Sequence, residues 1–343
     1  MFSLVYTVSS LLGMLFAIHA ICMRLLLLAL VLCTWVAAVP TALLTRQQQL
    51  EAVTEDEVSL YVPSAVVAGA VSCGSRAVNA FDCGPACDKL NDAGTEVLYY
   101  DGDGERDPWI YLLHIPSDEA LVIAHSPTNF SSFVSVLIDA DFWLSTVDGP
   151  LAEDMDFEDG KNIAVHSGFL RSVNKTYEEL KKRLIAAMDD LEDEISVVRF
   201  EGHSMGAASA AIEAVALSSL VKERGLDLRL TTFGSPRVGN EDFVDLLEAT
   251  IPLENRARIT NQNDKVPHLP GFPYKHYNGE VYIPKEDEKE IPTPAAHCDG
   301  REDDRCASKF NFFQRSKEAH EGPYFDQTLS RSVCTNADAY PPK

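Results

Sequence analysis

Apolar and polar positions divide this 343-residue chain into an apolar head and an alternating body. Residues 2–44 are almost unbroken hydrophobics, with Arg24 as the one cation, and residues 45–56 then turn polar and charged. Runs rich in branched and aromatic side chains follow at 96–100, 109–115 and 120–125 and predict strands. Asp101-Gly-Asp-Gly-Glu105 separates the first two and reads as a hairpin turn. Its acids invite a calcium reading, but Arg106 stands where an EF-hand loop requires Gly. Between 174 and 194, Tyr177, Leu180, Leu184, Met188 and Leu191 share one face and charges cover the rest, which predicts an amphipathic helix. A buried strand from Val197, a small-residue helix over 207–220, a strand at 228–233, a helix over 241–247 and a short strand at 257–260 complete the pattern. Strands alternating with helices predict an α/β fold: a mostly parallel central sheet, helices on both faces, a single domain. The C-terminal region is rich in Pro, Gly and charge and predicts long loops wrapped on the sheet.

Composition narrows the setting. The formal charge of −23 repels nucleic acid and anionic surfaces at long range, so neither is expected as a partner. The head has the order of a secretory signal: Met23-Arg24, an apolar run from Leu25 to Leu32, then Val36-Ala37-Ala38. Residues 1–38 are therefore expected to be a signal peptide, with Met23 as a candidate true start. A flexible N-terminal or pro-segment is expected over 39–60, and the folded domain over 61–343. A membrane anchor is the rival reading of the head. The small-residue exit and the cysteine count favour secretion to an extracellular setting. Cys22 and Cys33 leave with the signal. Cys73, Cys83, Cys87, Cys298, Cys306 and Cys334 remain, an even number that reads as disulfides. Their spacing does not match a zinc site, and no metal or organic cofactor is expected. Asn129 and Asn174 open glycosylation sequons.

The chemistry starts at Gly202-His-Ser-Met-Gly206, which lies between the predicted strand and the predicted helix. In that context Gly-x-Ser-x-Gly is a nucleophile elbow, with Ser204 on a strained strand-to-helix turn and its hydroxyl over the sheet edge. A serine hydroxyl needs a base to take its proton and a third group to orient the base. The acid should follow Ser204 in the chain and sit after a strand. Asp264 fits, whereas Asp242 and Asp245 look helical and solvated. For the base, His268 is too close to Asp264 in sequence, and His276 lies in the aromatic stretch 274–277. His320, on a segment that Cys334 would anchor, is taken ahead of His297. The backbone N–H of Met205, after the nucleophile, supplies one oxyanion donor. Thr128, at the end of the 120–125 strand, supplies the other. Residues 143–160 are acidic, with Leu144, Val147, Leu151, Met155 and Phe157 interspersed, and read either as a movable flap over an acyl groove or as a solvated loop.

At this point the residues resemble the fungal class 3 lipases. Six stretches carry the likeness in order: His166-Ser-Gly-Phe169, Gly202–Gly206, Thr232-Phe-Gly-Ser-Pro-Arg-Val-Gly-Asn240, Arg258–Pro270 with its Asp264-x-Val-Pro-x-Leu-Pro core, Glu280-Val-Tyr-Ile283, and His320 with Tyr324-Phe325. Leu137–Phe142 looks most like the mono- and diacylglycerol lipase subgroup. The resemblance implies an α/β-hydrolase fold, Ser204, Asp264 and His320 as the triad, and Thr128 with Met205 as the oxyanion hole. It also implies the pairings Cys73–Cys334, Cys83–Cys87 and Cys298–Cys306. The implied activity is serine hydrolysis of acylglycerol esters at a lipid–water interface, with no obligate protein partner. Two alternatives stand beside it: another esterase on the same scaffold, such as a feruloyl esterase or phospholipase, and a non-catalytic binding protein. The chain departs from the family at Pro127, where Gly is usual, at Ala207, where a second Gly is common, and in a His320–Tyr324 spacing one residue longer than usual.

Overall fold

Continuous apolar runs become strands buried on both faces, and in this chain they sit at the middle of the molecule. A computed structural model describes residues 49–104, 107–128, 143–157 and 160–336, and the chain from Leu50 onward forms one compact unit. The expected signal peptide and the Asn129 sequon lie outside the described residues. No helix among the described residues is long and apolar enough to cross a membrane.

In chain order, β1 (Glu51–Ala52) leads into α1 (Glu55–Val71), α2 (Ser75–Asn79) and α3 (Pro85–Asp92). Strands β2 (Glu96–Asp101), β3 (Ile110–Ile115) and β4 (Ala120–His125) follow. After them come β5 (Leu144–Thr146), α4 (Gly149–Met155), β6 (Ala164–His166) and α5 (Ser167–Asp190). The second half holds β7 (Val197–His203), α6 (Met205–Ala216), α7 (Ser218–Glu223), β8 (Asp227–Phe233), α8 (Glu241–Thr250) and β9 (Arg256–Asn261). Strands β10 (Glu280–Ile283) and β11 (Ala296–His297) and the short helix α9 (Glu318–Glu321) complete it. Among the described residues the main sheet has nine strands in the order β1-β11-β10-β9-β8-β7-β4-β3-β2. The central five, β10 to β4, run parallel, as the alternation of strands and helices predicts. Both flanks are antiparallel, and on the β2 side the short connections β2–β3 and β3–β4 leave no room for a crossover.

Successive side chains of a strand point to opposite faces, and the core divides accordingly. Ile110, Leu112, Leu121 and Ile123 join α4, α5, α6 and α8 on one face. Tyr111, Leu113, Val122 and Ala124 meet α1, α2 and α3 on the other. Helix α6 is buried at each of its positions, and its alanines let it lie close to the sheet. Helix α5 buries Phe169, Leu170, Val173, Tyr177, Leu180, Leu184 and Met188 at three- and four-residue intervals, and it starts seven residues before the sequence periodicity alone suggests. Disulfides Cys73–Cys334, Cys83–Cys87 and Cys298–Cys306 form as the resemblance implies.

Two expectations need correction. The end of the supposed flexible segment is ordered: Glu51 and Ala52 pair with His297 and Ala296, and Thr54 with Glu57 makes a capping box that opens α1. The solvated-loop reading of 143–160 also fails for its described apolar residues. Val147, Leu151 and Met155 are buried in the main core, and Asp154 is tied to Lys181 at 2.6 Å and to Tyr177 at 2.7 Å. Spacing of four residues in α4 turns Leu151 and Met155 inward and leaves the acids outside.

Candidate active site

The site is built at the carboxyl ends of β7, β8 and β9. Strand β7 is buried along its whole length and paired on both edges, so Ser204 begins from a fixed point. Ser204 has φ 61° and ψ −125°, a conformation that costs a non-glycine residue about 1–3 kcal/mol. Its N–H donates to Phe233 O at 3.0 Å, and α6 starts at the next residue. Gly206 permits the turn: a Cβ there would lie 2.5 Å from His125 O and 2.7 Å from Ser126 O. The same close approach lays the end of β4 against the nucleophile helix. Thr128 Oγ1 reaches Met205 Sδ at 3.7 Å, so the two residues expected to hold the oxyanion are in contact.

Asp264 follows β9 in a tight turn, with its N–H donating to Asn261 O at 3.0 Å. Its Oδ1 accepts from Val266 N at 2.8 Å. Its Oδ2 pairs with His320 Nδ1 at 2.8 Å. Tyr324 Oη stands 3.4 Å from that same Oδ2 and 3.4 Å from His320 O. Gly234, at the end of β8, leaves the space: a Cβ there would lie 2.8 Å from Asp264 Oδ2 and 2.9 Å from His320 Nδ1. The acid turn and the α9 segment are stitched by Asn261 Nδ2 to Ala319 O at 2.8 Å, Lys265 N to Ser316 O at 3.2 Å and Ser316 N to Asn263 O at 2.8 Å.

His320 also meets the residue before the nucleophile. The rings of His203 and His320 lie 4.4 Å apart, and His203 Nε2 donates to His320 O at 2.8 Å. Burial, and next the neighbouring His320, hold His203 well below the ordinary imidazole value, which leaves it neutral and able to donate from one nitrogen. Ser204, Asp264 and His320 are all buried. The sequence assigns no role to His203 or Asn261, and Tyr324 enters it only through the family likeness. His203 had a signal, its place inside Gly-His-Ser, whereas Tyr324 and Asn261 act only through tertiary contacts.

The other candidates lie elsewhere. His297 sits on β11 with its Nε2 2.9 Å from Glu57 Oε1. His276 is packed, bonding Pro267 O at 2.6 Å. His268 is held down to about 3, first by burial and then by Arg315 and Arg237. Asp242 and Asp245 lie on α8, as their helical spacing suggests, with Lys161 and Arg301 as their respective partners. Glu280, Cys298 and Cys306 cluster closely enough to resemble a metal site, but both cysteines are in a disulfide and cannot serve as thiolate ligands.

A family profile described as Lipase (class 3) matches residues 129–274. The chain is 28% identical to lipase A of Sodiomyces alcalophilus over 268 residues, 70% of this chain and 59% of that protein. It is 29% identical to the secreted mono- and diacylglycerol lipase MDL5 of Malassezia globosa, over 66% of this chain and 67% of that one. The stretch 129–274 is thus similar to the class 3 lipase family, and the chain to both of these relatives. It spans less than two thirds of lipase A's length. Lip2 lipase of Yarrowia lipolytica superposes with a TM-score of 0.69 at 20% identity, covering 82% of this chain and 97% of that one. The Rhizomucor miehei lipase in its propeptide complex gives 0.64 at 24% identity, covering 82% and 84%. These likenesses identify the architecture as the α/β-hydrolase fold. The segment His125-Ser-Pro-Thr128, with Pro127 in it, keeps Thr128 beside Met205.

Proposed function

We propose that this protein hydrolyses carboxylic esters of lipids through an acyl-enzyme on Ser204. The observation that carries the reading is the 2.8 Å bond between His320 Nδ1 and Asp264 Oδ2, made across 56 residues of sequence and packed against the residue preceding the strained Ser204. In the proposed reaction Ser204 Oγ bonds to the ester carbonyl carbon while His320 takes the hydroxyl proton. Asp264 holds the imidazole in the tautomer that leaves its other nitrogen facing the nucleophile. The N–H groups of Met205 and Thr128 receive the oxyanion. Collapse of the tetrahedral species breaks the ester bond, and the proton passes to the departing alcohol. Water then repeats the sequence on the acyl-enzyme, releasing the fatty acid and restoring the serine.

For substrate we favour mono- and diacylglycerols presented at a lipid–water interface, in keeping with the name borne by several relatives, among them a Gibberella zeae protein 33% identical over 156 residues. The same names, with the signal-like head and three disulfides, support secretion. A phospholipase is the second reading, supported by 36% identity over 95 residues to phospholipase A1-II 1 of rice. The test is release of fatty acid from mono-, di- and triacylglycerols and from phosphatidylcholine by wild type and Ser204→Ala. The variant is expected to lose at least ~1,000-fold in kcat. Equal rates in the two proteins overturn the assignment, and faster hydrolysis of the phospholipid moves it to the second reading.

A further inference from the structure

The nucleophile helix contains one charged residue, and that residue is fully buried. Glu213 lies within α6, among alanines, valine and isoleucine, with its side chain 0% exposed. A carboxyl group in such surroundings is expensive unless bonded. Its partner is His125, whose Nε2 stands 2.8 Å from Glu213 Oε2 and whose side chain is 4% exposed.

The pair joins the two arms of the proposed oxyanion hole. His125 is the last residue of β4, and its register partner is Gly202, two residues before Ser204. The chain then runs through Ser126 and Pro127 to Thr128. That short arm is fixed at its start on two further sides. Ser126 N donates to Trp109 O at 2.8 Å, and Ser126 Oγ accepts from Trp109 N at 2.8 Å. The carbonyls of His125 and Ser126 rest on Gly206, the residue after Met205. The β3 contacts hold the arm to the sheet, the Gly206 contact sets how near it may come, and the His125–Glu213 bond draws it onto α6.

We propose that Glu213 and His125 are positioning residues that set the Thr128 donor against the Met205 donor, an inference that rests on the ester-hydrolase reading above. An oxyanion hole works only when both donors stand at hydrogen-bond distance from one point, and a shift of about 1 Å in such a group can cost on the order of 100-fold in rate. The pair therefore acts on turnover through geometry, and ground-state binding of a small ester is left nearly unchanged.

The experiment uses a soluble short-chain nitrophenyl ester, with kcat, KM and Tm measured for wild type, Glu213→Gln and the double variant His125→Phe/Glu213→Leu. Replacing both members of a buried pair with apolar groups of similar volume is often neutral for stability, so the double variant is expected to fold with Tm close to wild type. Its kcat is expected to fall by roughly 10- to 100-fold with KM within about twofold. Glu213→Gln keeps an acceptor for the histidine N–H and is expected to recover most of the rate. A folded double variant with wild-type kcat overturns the proposal. A loss of kcat that tracks a loss of Tm across both variants also overturns it, because the pair is then structural only. Failure of the ester-hydrolase reading is seen separately, in wild-type protein that a fluorophosphonate probe does not label at Ser204.

Discussion

The two halves of the proposed site are made in different ways. On the nucleophile side, Ser204 is placed by backbone: a doubly paired strand, a turn at positive φ, and Gly206 beneath β4. On the acid–base side, Asp264 comes from a turn and His320 from the short helix α9, and both are held by side chains, Asn261 to Ala319, Tyr324 to Asp264 and His203 to His320. The first half is dense in backbone hydrogen bonds of the sheet. The second depends on contacts made across 56 to 117 residues and on the chain beyond α9 being tied down. The proposed site is thus a rigid platform beside an assembled one.

The comparison can be broken most severely at its junction. Asp264→Asn leaves the packing of the turn but permits the wrong imidazole tautomer, and kcat is expected to fall about 10,000-fold with Tm held within a few degrees. Steady-state kinetics and a thermal melt check both parts. Next in size is the Cys73–Cys334 bridge, which spans 261 residues and secures the segment after His320. Its removal by Cys73→Ala/Cys334→Ala is expected to cost up to about 5 kcal/mol in the chain-entropy description. Activity should then be lost at a lower temperature than the far-ultraviolet signal of the sheet, since the assembled half loosens first. Gly206→Ala attacks the platform instead. A methyl 2.5 Å from His125 O forces the backbone apart, with an expected destabilisation of about 1–3 kcal/mol and a fall in rate accompanying it. Urea unfolding beside the ester assay reads the two together.

A further effect, which needs no substitution, is in pH. His203, His268 and His276 are all held below the ordinary value, by burial first. The unfolded chain binds protons at these residues near pH 6.5, and the folded chain does so only at lower pH. Their contribution to stability is therefore full above pH 6.5 and lost as pH falls toward the depressed values, by up to about 1.4 kcal/mol per pH unit for each histidine. Glu201, raised by burial, acts in the opposite sense over the carboxylate range. Urea midpoints are expected to drop between pH 6.5 and 5, and a flat profile contradicts the neutral assignment of His203.

The same division explains what the sequence made legible. Ser204 and the strands β3, β4, β7 and β8 could be read from runs of neighbouring residues, because their geometry is decided locally. Asp264 could be placed by its position after β9. His320 required chain order and the anchoring cysteine, since nothing in Ala319-His-Glu321 marks a base. His203 went unnoticed because a histidine beside a nucleophile is also an ordinary strand residue. The start of α1 was hidden for another reason. It opens on the polar stretch that suggested a loose arm, and only Thr54 with Glu57 marked the cap. The acids of 143–157 disguised a core helix, because their regular spacing with Leu151 and Met155 is too short to stand out.

The far edge of the sheet closes on β1, two residues bonded to His297 and Ala296. That tiny strand occupies the hydrogen-bonding groups that β11 would otherwise offer to another molecule, and unshielded edges are where sheets recruit copies of themselves. Proteolytic trimming upstream of Leu50 therefore leaves this border sealed, whereas trimming past Ala52 opens it to self-association.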